Sequence, residues 1–152
     1  MILSNEMYKV IGHGCLDIID IDWLTGAVTG LYVAGRRSPS WQWDPFIEDI
    51  EYMSDLMGGV HPIDMQSMNG ARSIFDTLAG YISMTGTLDS EGIWFRCPPE
   101  LQVEVRQWLS GLEIVCSGND VLITNVSLRH FIKLISIRGP VEDQLIQEGR
   151  IQ

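Results

Sequence analysis

The 152-residue chain has 20 acidic side chains against 10 Lys and Arg, which gives a formal net charge of -10. This excess disfavours direct binding to nucleic acid or to an anionic membrane, because phosphate groups repel an acidic surface that carries no local basic patch. The apolar runs are far shorter than the roughly 20 residues of a membrane-spanning helix. A chain of this length, 45% apolar, is expected to form a single globular domain over residues 1–152.

The cysteine pattern and the N-terminus indicate a reducing compartment. Cys15, Cys97 and Cys116 are odd in number and widely spaced, which argues against a disulfide framework. The first residues place Glu6 where a secretion signal would need basic residues and a longer apolar run. We therefore expect reduced thiols and a cytoplasmic protein.

The first predicted element is a β-hairpin over residues 16–35. Ile19 and Ile21 alternate with acidic residues, and Thr25-Gly26 has the chemistry of a turn. Strand-forming residues follow, with Gly30 at a bulge or bend.

The second element is a helix over residues 45–57. Asp44 is the predicted N-cap, Pro45 suits the first helical position, and Gly58-Gly59 ends the helix. One side of this helix is apolar and a different side carries carboxylates at intervals of three or four residues.

The remaining elements alternate between helix and strand. They are a helix at about 68–82, a short strand at 93–95, a helix starting at Pro98-Pro99, a hairpin whose turn is 117–120, a segment 127–138 with a strand in its second half, and a short terminal helix. The segment 127–138 fits either periodicity, so its strand assignment depends on the closing Gly139-Pro140. Together the elements predict an α+β fold, with a mixed, mostly antiparallel sheet built from hairpins and about three helices packed on it.

Two clusters could support chemistry. His13 and Cys15 could form a base and a thiolate nucleophile, and Asp17, Asp20 and Asp22 could hold a hard cation. Neither pattern is specific: the first lacks an orienting third group, and the second is typical of the solvent face of a strand. We expect no catalytic residue, no metal and no cofactor.

The segment from Ser38 to Gly59 favours a partner-binding surface instead. No Lys or Arg occurs between Arg37 and Arg72. Two tryptophans two residues apart project to one side of an extended chain, unless they are core anchors. The predicted partner-binding residues are Trp41, Trp43, Asp44, Glu48, Glu51 and Asp55.

Three functional hypotheses follow. The first is a non-enzymatic module, of the inhibitor or immunity-protein type, that neutralises a basic protein partner such as a nuclease or a nucleic-acid-binding effector. The second is a small enzyme that uses Cys15 and His13 or the cluster of Asp17, Asp20 and Asp22. The third is a subunit of a larger assembly.

Overall fold

The computed structural model describes residues 21–35, 43–64, 67–68 and 73–150. The described residues form six α-helices: α1 (Ile21–Ala34), α2 (Asp44–Leu56), α3 (Ile74–Thr85), α4 (Pro99–Trp108), α5 (Leu128–Leu134) and α6 (Pro140–Gln147). They also form four strands: β1 (Thr87–Leu88), β2 (Gly92–Arg96), β3 (Ile114–Ser117) and β4 (Asp120–Thr124). The strands make one antiparallel sheet in the order β1-β2-β4-β3, so the predicted α+β class is confirmed.

The predicted hairpin at 16–35 is wrong over its described part. Residues 21–34 form helix α1, and residues 16–20 lie outside the described residues. Gly26 and Gly30 suggested a turn and a bulge. Their spacing of four instead places both glycines on one side of a helix, where they face α3.

Helices α1 and α3 pack with their backbones in close contact. A Cβ atom on Gly26 would overlap the carbonyl oxygen of Thr77, and one on Gly80 would overlap the carbonyl oxygen of Trp23. The two glycines therefore let the helices approach more closely than side chains would allow. This packing explains why α1 is a helix although glycine is a poor helix former.

Helix α2 confirms the predicted helix to within one residue at each end. Its N-cap is Trp43 and not Asp44, so Asp44 is the first helical residue and Pro45 follows it in the first turn. Gly58 and Gly59 end the helix with φ of 84° and 91°, which only glycine adopts without strain.

Helix α3 also exists as predicted but begins later. Its N-cap is Ser73, whose Oγ accepts a hydrogen bond from the amide of Asp76. The helix then continues to Thr85, three residues beyond the predicted end. The capping serine fixes the start of the helix, which the apolar pattern alone placed too early.

The β3–β4 hairpin and β2 confirm the prediction. Gly118 has φ of 60° at the first central position of the two-residue turn, as a type II′ turn requires. Along β2 and β4, the side chains of alternate residues face the core. They are Ile93 and Phe95 on β2, and Val121 and Ile123 on β4.

The strand predicted in the second half of 127–138 is wrong. Residues 128–134 form α5 and residues 135–138 form no strand. Leu128, Phe131 and Ile135 are buried at helical spacing, which shows that the 3.6-residue pattern decides this segment. Helix α6 confirms the predicted terminal helix. No helix among the described residues combines the length and the apolar character that crossing a membrane requires.

Candidate functional site

Helix α2 has one buried side and one exposed side. Its side chains Phe46, Ile50 and Met53 are buried in the core. The opposite side is exposed and carries the four predicted carboxylates, which are Asp44, Glu48, Glu51 and Asp55. Since these positions are three or four residues apart, the carboxylates form one row along the helix.

The fifth carboxylate of α2 has a different position. Asp49 is fully buried, although its immediate sequence neighbour Glu48 is exposed. Asp49 therefore contributes to the interior of the protein and not to the exposed row.

Trp43 packs at the boundary of the core. Its ring is half-buried and meets Phe46 edge-on, with ring centroids 6.1 Å apart. Phe46 in turn packs edge-on against Trp23 of α1, with ring centroids 6.4 Å apart. Trp43 thus holds the start of α2 against the core, which is one of the two roles left open by the sequence. Trp41 lies outside the described residues.

Two apolar side chains on the exposed side of α2 were missed by the sequence analysis. Tyr52 and Leu56 are both 38% exposed and follow Glu48 at intervals of four residues. They therefore lie along the acidic row. Their spacing from Glu48 was the available indication in the sequence. We call Asp44, Glu48, Glu51, Tyr52, Asp55 and Leu56 the α2 outer face.

The chain after α2 is fixed to the rest of the fold by side-chain hydroxyls. The Ser54 Oγ accepts a hydrogen bond of 2.8 Å from the amide of Val60. The amide of Ile63 donates to Thr29 Oγ1 of α1 at 3.0 Å. These bonds attach the first described residues after α2 to α2 itself and to α1, so the C-terminal end of the α2 outer face is held in place before any partner binds.

Of the residues that the sequence suggests for chemistry, Asp22 alone lies among the described residues. His13, Cys15, Asp17 and Asp20 lie outside the described residues. Asp22 lies in α1 and not in a strand, and its Oδ2 accepts a hydrogen bond of 3.1 Å from the amide of Ser73. Asp22 therefore links the start of α1 to the start of α3.

A cavity of about 340 Å³ lies where the ends of α1 and α3 meet β2, lined in part by Trp94, Arg96 and Asp120. The indole N–H of Trp94 donates to Asp89 Oδ2 at 2.7 Å, which fixes the orientation of the ring. The Asp89 carboxylate also accepts from the amide of Glu91, and this bond is the main cause of a lowered Asp89 pKa. No described residue of α2 lines this cavity, so it is separate from the α2 outer face.

Both described cysteines are free, as predicted, and Cys15 lies outside the described residues. Cys97 is buried, and burial raises the pKa of its thiol to about 12. Burial also raises the pKa of Tyr81 above its ordinary value. Both groups bind their protons more tightly in the folded protein than in the unfolded chain.

We expect the stability of the protein to fall as pH rises above 9.0, the ordinary pKa of the Cys97 thiol. The unfolded chain releases this proton near its ordinary pKa, whereas the folded protein retains it up to about pH 12. The contribution of the protonated Cys97 thiol to the free energy of unfolding is complete below pH 9.0 and is lost as pH rises towards 12. Urea unfolding between pH 8 and pH 10.5 measures how steeply the free energy of unfolding falls with pH. The fall should be shallower in Cys97→Ala. Equal slopes in the two proteins would show that the Cys97 thiol does not titrate differently on folding.

Comparison with known proteins identifies no relative. No protein-family model matches the chain, and no curated protein or solved structure is significantly similar to it. The functional conclusion therefore depends on the described residues and their chemistry.

Proposed function

We propose that the protein is a cytoplasmic, non-enzymatic binding module whose α2 outer face binds a basic protein, in the manner of an inhibitor or an immunity protein. The observation that supports this proposal is the α2 outer face itself, where four exposed carboxylates run beside two exposed apolar side chains.

The row of exposed carboxylates lowers the stability of α2 through mutual repulsion. Like charges three or four residues apart on a helix destabilise it by a few tenths of a kcal/mol for each pair. Asp44 regains part of this cost because it lies in the first turn, where the helix dipole favours negative charge. Glu51 and Asp55 lie beyond that turn, so their charge favours an external cation and not the fold.

The electric field of this surface is not neutralised by neighbouring residues in the sequence. The segment between Arg37 and Arg72 has no Lys or Arg, and it contains all of α2. A row of carboxylates of one sign attracts a basic protein from a distance and speeds its association.

Tyr52 and Leu56 provide contacts that charge alone does not. Aromatic and aliphatic side chains that become fully buried on binding contribute much of the binding energy, while surrounding charges stay near the rim. The partner that fits this surface carries Lys or Arg side chains around an apolar cleft. A nuclease or another nucleic-acid-binding protein has such a surface, because it must attract phosphate groups.

The test is a charge reversal of Glu48, Glu51 and Asp55 to Lys. Wild-type and variant proteins are used as baits in a lysate of the native cell, and association rates are then measured with each captured protein. We expect a captured basic protein whose association with the variant is more than about tenfold slower at low salt, since steering raises on-rates by 10–10³. The melting temperature should stay close to the wild-type value or rise slightly, because repulsion within α2 is relieved.

The control changes Glu91, Glu100 and Asp143 to Lys. These exposed carboxylates lie outside α2, and their replacement alters the net charge by the same amount. The control variant should keep most of the wild-type association rate. Equal rates for wild type and the α2 variant at low salt would contradict the proposal, and equal losses in both variants would show that only net charge matters.

A further inference from the structure

Strand β3 forms one edge of the sheet. In the order β1-β2-β4-β3 it has a strand neighbour on one side only, among the residues that the structure describes. Its four residues, Ile114–Ser117, include no charged side chain and no proline. The opposite edge, β1, has only two residues, Thr87–Leu88, and offers a neighbouring strand much less backbone.

The alternation of hydrogen-bonded pairs between β3 and β4 shows which backbone groups of β3 point away from β4. The amide of Thr124 donates to the carbonyl oxygen of Glu113 at 3.2 Å, so this pair lies at a hydrogen-bonded position. Antiparallel pairs alternate, so Val115 and Ser117 also bond to β4. The N–H and C=O groups of Ile114 and Cys116 therefore point away from β4, towards the open edge.

Three common protections are absent from this edge. Natural sheets discourage pairing with other chains by placing Lys, Pro or a bulge on an edge strand. Here β3 pairs regularly with β4 along its whole length, and Val115 is 44% exposed. An uncharged edge with an exposed valine is therefore suited to receive another strand.

We propose that β3 pairs with β3 of a second copy of this chain, antiparallel, with the two-fold axis passing beside Val115. The two four-stranded sheets then form one continuous eight-stranded sheet. Ile114 forms a hydrogen-bonded pair with Cys116 of the partner subunit, and symmetry repeats the pair on the other side of the axis. All four outward backbone groups of each strand are satisfied in this register.

Side-chain positions also fit this register. Val115 meets Val115 of the partner subunit on the sheet face that includes Leu122, which is 4% exposed and pairs with Val115 across the hairpin. Glu113 lies opposite Ser117 of the partner subunit, so the register opposes no like charges along the strand pair. The same short strand is thus complementary to itself, which is the requirement for a two-fold interface.

The proposed dimer interface and the α2 outer face should respond to salt in opposite ways. Each copy carries a net charge of -10, so two copies repel each other at long range. Salt screens this repulsion and should strengthen the dimer. Binding of a basic protein to α2 should instead weaken with salt. Dimerisation is therefore independent of the proposed function, and the failure of one leaves the other unaffected.

Disulfide trapping tests the register. At a non-hydrogen-bonded antiparallel pair the two Cα atoms lie about 4.5 Å apart, within the range that a disulfide spans. In a background with Cys15→Ala and Cys116→Ala, Val115→Cys should form a cross-linked dimer on mild oxidation. The matched control is Val126→Cys, which is 81% exposed but lies outside β3 and should remain monomeric on a non-reducing gel.

Sedimentation of the unmodified protein completes the test. The wild type should show a dimer whose fraction increases with concentration and with salt, Val115→Lys should be monomeric, and Val126→Lys should behave as wild type. A wild type that remains monomeric at high concentration and high salt would overturn the proposal. Equal cross-linking of the two cysteine variants would equally overturn it, since it would reflect exposure and not strand pairing.

Discussion

Gly26→Ala is expected to destabilise the protein by about 3 kcal/mol or more, because the added methyl group would overlap the backbone of α3 at Thr77. The direction of this change is informative. In an isolated helix the same substitution stabilises by about 1 kcal/mol, since alanine is the better helix former. A large loss therefore comes from the packing of α1 against α3 and not from α1 itself.

The matched control is Gly35→Ala at the end of α1. No atom lies within 4 Å of a Cβ placed on Gly35, and its φ of 57° costs an alanine about 1–2 kcal/mol. Urea unfolding followed by circular dichroism compares the two variants with wild type. A Gly26→Ala protein that is as stable as wild type would contradict the close contact between α1 and α3.

The contrast between α1 and α2 shows how far the sequence predicts this fold. Helix α2 is bounded by local residues, Pro45 at its start and Gly58-Gly59 at its end, so its prediction needs nothing else in the chain. Helix α1 depends on Gly26 facing Thr77, about fifty positions later in the sequence. Without that distant contact, the same glycines indicate turns, which explains the incorrect hairpin.

The candidate site was predicted only in part, because local spacing decides some of its residues and distant packing decides the others. The spacing of Glu48, Glu51 and Asp55 placed them on one side of α2, and the structure exposes all three. No local pattern in the sequence indicates that Asp49 is buried, and the four-residue spacing from Glu48 is the only local indication that Tyr52 is exposed. Both outcomes depend on which side of α2 the core covers, and that side is set by tertiary packing around Phe46.

Phe46→Ala is expected to lower the free energy of unfolding by about 3–5 kcal/mol, the range for removing a buried aromatic ring. Phe46 is 1% exposed and contacts Trp23 and Trp43 edge-on. It also fills the space beside Gly139, where a Cβ would collide with the Phe46 ring. The ring therefore joins α2 to α1 and to the start of α6.

Trp43→Ala should cost less stability than Phe46→Ala, because the Trp43 ring is only half-buried. Comparison of the two variants also tests the position of the α2 outer face. Because the exposed carboxylates stay on α2 in both folded variants, both should bind a basic partner with wild-type rates at temperatures where they remain folded. Unfolding in urea gives the stabilities, and association kinetics with the captured partner give the rates. A Trp43→Ala protein that keeps its stability but dissociates much faster from the partner would show that Trp43 is a contact residue and not a core boundary.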